Sequence, residues 1–127
     1  MRAVDTNVPV RLVTRDDPKQ TAAAEDYVAQ GAWIPHLVLA EMTWVLSTVY
    51  GRPPADIAQA IEMFLSHRQF SLQDPDTVAA ALAHFRKRPS LGFSDCLMLE
   101  AARKAGHLPL GTFDRELGKL DGAQRLK

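Results

Sequence analysis

The sequence holds a single cysteine, Cys96, in 127 residues. That excludes an internal disulfide and any zinc site built on several thiolates, so metal chemistry here has to use oxygen. Cys96 stands in Asp95-Cys96-Leu97-Met98-Leu99, a setting that predicts a small packed side chain. No apolar run approaches the roughly 18 residues of a membrane span, which points to a soluble chain with no membrane partner. Charge of one sign is also missing: 15 Lys and Arg stand against 15 Asp and Glu, with four His. That balance lacks the positive bias of a protein that coats nucleic acid nonspecifically, although a bound divalent cation and local basic residues could still attract one. Met1 runs straight into Arg2-Ala3-Val4-Asp5 without a basic region and apolar leader, so the expected location is cytoplasmic. There is no internal repeat, low-complexity tract or linker, and the length predicts one domain, 1–127, that buries roughly 65 to 70% of its unfolded surface.

Against this background four carboxylates stand out, Asp5, Glu41, Asp95 and Asp114, each against or inside a strongly apolar segment. Burying an ionised carboxylate is unfavourable unless a cation or hydrogen bonds compensate it. Glu41 is the sharpest case. From Tyr27 to Gly51 it is the only Asp, Glu, Lys or Arg, so nothing within its own segment balances it.

Punctuating residues divide the chain into alternating strands and helices. Arg2 to Asp5 reads as a short strand, followed by a turn and a helix through Val8-Pro9-Val10-Arg11-Leu12-Val13. Asp17-Pro18-Lys19-Gln20 carries an N-cap, a proline at the first helical position and a glutamine at capping-box spacing, predicting a helix to about Gly31. Ala32-Trp33-Ile34 predicts a second strand, and Pro35 opens a helix through Tyr50 that Gly51 and Pro53-Pro54 end. Ile57, Ile61, Phe64 and Leu65 mark a helix from Pro54 to Ser66, with a brief strand at Gln69 to Leu72. Helices from Asp74-Pro75 to Lys87 and from Ser94-Asp95 to Gly106 follow, then a strand at Leu108 to Gly111 and a last one near Gln124 to Leu126. The predicted class is α/β, with about four to five short strands in a central, mainly parallel sheet. In such sheets ligands bind beyond the carboxyl ends of the strands, where Asp5 and Asp114 fall.

Carboxylate oxygens without partnering thiolates favour Mg²⁺ or Mn²⁺ over zinc. Two carboxylates about 4 Å apart repel by roughly 4 kcal/mol at an effective dielectric near 20, and a divalent cation removes that repulsion. A cation so held supports hydrolysis of a phosphodiester. Each acid has a plainer reading as well. Asp5, Asp95 and Asp114 could cap helices, and Glu41 could form a buried ion pair with a distant arginine.

Four segments taken together, Val4-Asp5-Thr6-Asn7, Leu39-Ala40-Glu41-Met42-Thr43-Trp44-Val45-Leu46, Phe93-Ser94-Asp95-Cys96 and Thr112-Phe113-Asp114, resemble the PIN domain, and within it the VapC-type toxins. The resemblance covers the full chain in the family's order and size. It implies an α/β/α sandwich around a mainly parallel sheet and a Mg²⁺- or Mn²⁺-dependent ribonuclease site with one or two ions. It implies Asp5 and Asp95 as the principal metal ligands, with Glu41 and Asp114 as the second pair. Thr6, Asn7, Ser94 and Thr112 match the residues that support this set, Asn7 by orienting Asp5. A toxin that cuts RNA to block translation, a homodimer and a cognate VapB-type antitoxin are implied too.

Arg86-Lys87-Arg88 could hold RNA phosphates near Ser94-Asp95, assisted by Arg115, Arg11 or Arg15; a solvated helix end is the other reading. Trp33, Trp44 and Phe93 are candidates for stacking on bases, although Trp44 reads better as core. The apolar Leu37, Val38, Trp44, Val45 and Val49 exceed one helical stripe, as in a helix covered by the core on one side and a partner on another. Two rivals remain. A catalytically silent PIN-like module binding RNA or protein would keep the fold without the chemistry. A receiver-like signalling domain would need a phosphoaccepting Asp at a strand end, and Asp56 follows Gly51-Arg52-Pro53-Pro54-Ala55 and precedes a helical pattern instead. A haloacid-dehalogenase-like phosphatase would want an acid where the chain has Asn7.

Overall fold

The computed structural model describes residues 1–127, which form two compact units, 1–75 and 76–127. In the first, strands β1 (Arg2–Ala3), β2 (Ala32–Ile34) and β3 (Phe70–Leu72) make a parallel sheet in that order, with Arg2 opposite Ala32 and Ala32 opposite Phe70. Parallel neighbours need long crossovers. Helices α1 (Asn7–Thr14) and α2 (Pro18–Val28) link β1 to β2, and α3 (His36–Thr48) and α4 (Pro54–Ser66) link β2 to β3. Along β2 the pleat turns Ala32 and Ile34 into the core and Trp33 outward.

Local signals account for the helix boundaries. Asp17 caps α2 by accepting the Gln20 amide at 3.0 Å, with Pro18 at the first helical position. The reciprocal half of the predicted capping box is not made, because the Gln20 side chain accepts from Arg11 Nε at 2.6 Å instead. At the other end of α3, Gly51 takes a left-handed conformation (φ 62°) and the Arg52 amide reaches back to the Leu46 carbonyl. Helix α4 opens on Pro54 and buries Ile57, Ile61 and Phe64, the last meeting Phe70 edge-on at 4.8 Å. Asp56 lies in the first turn of that helix and not at a strand end, which removes the receiver-like reading.

Two expectations about α3 are corrected. The helix buries Val38, Leu39, Met42, Thr43 and Leu46, and it is the opposite face, not the core, that carries Trp44, 64% exposed. Leu37 and Val49 are exposed as well. Glu41 also lies on the exposed face, so no buried ion pair forms, and burial does not explain its presence. An apolar helix needs only one face for a core, and the other is exposed in the single chain.

The second unit holds α5 (Pro75–Lys87), which opens at the junction, α6 (Phe93–Ala105), and strands β4 (Leu110–Thr112) and β5 (Ala123–Arg125), with a short 3-10 turn at Leu117–Lys119 between the strands. β4 pairs with β5 in parallel, Leu110 opposite Ala123, so the five strands form a sheet of three and a sheet of two where a single sheet was predicted. Six helices and wholly parallel strand pairing keep the chain in the expected α/β class. Val78, Leu82, Phe85, Phe93 and Leu99 are core, with Phe85 edge-on to Phe93 at 6.1 Å. Phe93 is therefore packed and cannot stack on a base. Cys96 is fully buried, as predicted, and burial followed by the charge of Asp95 pushes its thiol up to about 11. No helix is long and apolar enough to cross a membrane.

One buried acid escaped the sequence reading. Glu100 on α6 is 7% exposed and carries two partners, His84 at 3.0 Å and the Arg103 Nε at 3.3 Å to both carboxylate oxygens. Arg103 also donates to the Asp121 carbonyl at 2.6 Å, tying α6 to the turn before β5. Placement of an acid in Met98-Leu99-Glu100-Ala101 was the available signal, the same one that drew attention to Glu41.

Candidate active site

In the first unit β1 ends at Ala3, two residues before Asp5, and α1 begins at Asn7. Asp5 is exposed, and its carbonyl accepts the Val8 amide at 3.2 Å. Thr6 occupies the N-cap position of α1, where a threonine hydroxyl ordinarily accepts an amide of the first turn. Here it caps nothing. Its Oγ1 donates instead to Glu41 Oε2 at 2.8 Å, joining the start of α1 to the middle of α3, against which α1 packs. Glu41 is thus held by a neutral hydroxyl, with no ion pair to satisfy its charge. Asn7 is exposed at the first position of α1, and no hydrogen bond connects it to Asp5.

In the second unit Asp95 lies in the first turn of α6, a favourable end of the helix dipole for a negative charge. It does not cap the helix; Gly92 holds that position. Partial burial, and then the charge of Asp114, raise the Asp95 carboxyl above the ordinary range, partly offset by a hydrogen bond from the Gly92 backbone. Desolvation and like charge both penalise the ionised form. Asp114 is thus near enough for its charge to disfavour the ionised form of Asp95.

Asp114 follows β4 by two residues and does act as a cap. Its Oδ1 accepts the amides of Glu116 at 2.8 Å and Leu117 at 2.9 Å, starting the 3-10 turn. The Asp114 amide in turn donates to Thr112 Oγ1 at 3.0 Å. Thr112 thus sets the backbone from which the acid projects. Ser94 is partly exposed beside Asp95 on the first turn of α6.

The basic residues divide. Arg88 pairs with Glu116 at 3.7 Å, the residue whose amide binds Asp114, so it belongs to the same loop cluster. Arg86 and Lys87 are exposed at the end of α5, and Arg115 is exposed next to Asp114. In the first unit Arg11 is bound to Gln20, Tyr50 and Asp16, and Arg15 pairs with Glu25 at 3.2 Å, which gives both a structural role.

No group of three or more His, Cys, Asp or Glu side chains is gathered closely enough to cage a metal ion. The fit to a divalent cation rests on donor chemistry. Asp95 and Asp114 are hard oxygen donors, and a cation would relieve the repulsion that Asp114 exerts on ionised Asp95; the neighbouring Cys96 is fully buried with its thiol pushed up to about 11, so it offers no thiolate to a softer metal.

No curated protein matches the chain. The family model described as the PIN domain matches residues 2–123, which takes in both units and all four acids. PIN domains are generally metal-dependent nucleases and occur in several kinds of nuclease. With its six helices and parallel strands, this chain belongs to the PIN domain family.

Proposed function

We propose that the chain is a Mg²⁺- or Mn²⁺-dependent endoribonuclease, the toxin of a type II pair of VapBC kind, acting as one domain over residues 1–127. The observation that carries this reading is the match of residues 2–123 to the PIN domain family, a span that takes in all four acids. In this reading Asp5 and Asp95 are the principal metal ligands, Glu41 and Asp114 complete the set, and one or two ions are held. When bound, the cation supplies Lewis-acid chemistry, lowering the pKa of water and neutralising charge that develops on the phosphodiester.

The protein's own residues have distinct tasks. Thr6 fixes the rotamer of Glu41 through the 2.8 Å hydrogen bond. Thr112 and the turn amides fix Asp114. The α6 N-terminus favours the ionised form of Asp95 that a cation needs, against the burial that disfavours it. Arg86, Lys87, Arg88 and Arg115 would meet RNA phosphates. A homodimer, and a VapB-type antitoxin whose tail covers the site in the cytoplasm, complete the proposal.

The test is cleavage of RNA by purified protein with Mg²⁺ or Mn²⁺, with loss in EDTA and recovery on adding the metal back. RNA binding without cleavage under any divalent cation would favour the silent binding module. Thr6→Val should slow cleavage about tenfold or more, as loss of a ligand's supporting hydrogen bond does. Its melting temperature should move by only a few degrees, because the bond lies at the surface. Unchanged kinetics in that variant would remove Thr6 from the site.

A further inference from the structure

The first unit carries a cleft of about 380 Å³ between α1 and α2. One wall comes from Asn7, Val8 and Arg11 of α1, and the other from Gln20, Ala23 and Tyr27 of α2, which share a helical face at i, i+3 and i+7. The volume is at the lower end of what small-molecule sites have. Val8, Ala23 and the Tyr27 ring give it an apolar lining with a few polar groups at fixed places, the usual make-up of such sites. A hydrogen bond ties the cleft to the first of the four acids: the Val8 amide donates to the Asp5 carbonyl at 3.2 Å, in the turn that starts α1.

The walls are braced before anything enters. Tyr27 is held over one face by the Arg2 guanidinium, 3.9 Å from the ring centre, and at its hydroxyl by the Ala3 carbonyl at 3.3 Å. Arg11 gives its Nε to Gln20 Oε1 at 2.6 Å and its Nη1 to Tyr50 at 2.8 Å and Asp16 at 3.5 Å, which leaves Nη2 with no partner in the chain. Because Oε1 of Gln20 accepts from Arg11, its Nε2 stands as a second donor, joined to the guanidinium through that same bond. Asp16 already balances the charge of Arg11, so the two donors suit a neutral acceptor better than a phosphate.

An apolar, partly aromatic slot edged by two neighbouring donors is the complement of a flat ring with two neighbouring acceptors. Among the bases guanine carries such an edge, N7 beside O6; adenine sets a donor beside its ring nitrogen, cytosine presents a donor, and uracil has one acceptor there. Resting on the ribonuclease reading, we infer that the α1–α2 cleft receives a guanine base of the RNA next to Asp5. Arg11 Nη2 and Gln20 Nε2 donate to that edge, and Tyr27 lies against the ring. These residues touch the base and not the reacting phosphate, so they determine where the RNA is cut and take no part in the chemistry.

Two measurements test this. GMP and AMP share a phosphate and differ in the base, so in metal-free buffer GMP should shift the Gln20 side-chain amide signals in an NMR spectrum, and AMP at the same concentration should leave them nearly unmoved. With Mg²⁺ and oligoribonucleotides that differ at one base, guanine should be preferred over adenine near the cut by roughly 5- to 150-fold in kcat/KM, the discrimination a well-paired base edge provides. Gln20→Glu keeps the acceptor for Arg11 and turns the donor into a second acceptor, so the preference should fall or pass to adenine. Ala23→Leu, at an exposed position of α2, should fill the cleft and weaken the preference too. Equal shifts by GMP and AMP, or the parent's preference kept by both variants, overturns the inference and leaves the cleft to another occupant, such as a peptide of a partner protein. Cleavage by the parent with no guanine preference overturns it while the ribonuclease reading stands. GMP-selective shifts in a parent protein that cuts no RNA keep the guanine site and remove the ribonuclease reading.

Discussion

An Asp95→Asn variant should lose RNA cleavage by roughly two to three orders of magnitude, the scale of losing one preorganised charge at a reacting phosphate, yet be slightly more stable than the parent in metal-free buffer. The second half follows from the carboxyl's environment. Burial and Asp114 raise its folded-state pKa above the unfolded value of about 3.9, so the folded chain binds that proton more tightly than the unfolded chain does. The contribution of Asp95 to stability is therefore full below the unfolded value and is lost as the pH rises through the folded one. At neutral pH the ionised group opposes folding, and asparagine removes that opposition. Because Asp95 is partly exposed the gain is small, a few tenths to about 1 kcal/mol. Mg²⁺ should raise the melting temperature of the parent and leave that of Asp95→Asn nearly unmoved, since only a species that binds the folded state shifts the transition. Parent-level cleavage by Asp95→Asn, or by the matching Asp5→Asn, would remove these residues from the site.

Removing Arg103 should have the largest effect on stability outside the hydrophobic core. Arg103→Ala withdraws the cation beside a carboxylate that is 7% exposed and also breaks the bond to the Asp121 carbonyl. Stripping a buried charge of its partner costs about 3 to 5 kcal/mol. His84 remains at 3.0 Å and Arg103 is itself partly exposed, so about 2 to 3 kcal/mol is expected here, or a fall in Tm of roughly 6 to 15 °C. Glu100→Gln should cost less than Arg103→Ala, because the amide removes the charge that needs compensation. Thermal or urea unfolding of the two variants decides the point, and the reverse order would show that Glu100 does not depend on Arg103.

Helix boundaries were legible in the sequence because single residues enforce them. Asp17-Pro18 starts α2, Pro35 starts α3, Gly51 to Pro54 separates α3 from α4, and Gly106 closes α6 through a left-handed turn. The orientation of α3 was not legible. Leu37, Val38, Leu39, Trp44 and Val45 put apolar groups on every side, so periodicity could not tell the core face from the wet one, and Trp44 was assigned to the wrong face. Strand partners were equally hidden: segments of two or three residues carry too little pattern to show that β4 would pair with β5. The four acids could be picked out by residue type and motif, but their immediate partners could not. Thr6 and Glu41 are 35 residues apart, and Glu100 meets His84 across 16, separations over which a sequence gives no distance.

Asp114 uses its two oxygens unequally. Oδ1 accepts both turn amides, while Oδ2 makes no bond within the chain. The same side chain is thus hinge pin at one atom and free electrode at the other, and the two jobs can be taken apart chemically. Asparagine at this position keeps an oxygen for the amides and discards the charge, whereas alanine discards both. A comparison of Asp114→Asn with Asp114→Ala therefore reads the electrostatic duty of the residue separately from its architectural one, a separation that Glu41, held by one hydroxyl, does not offer.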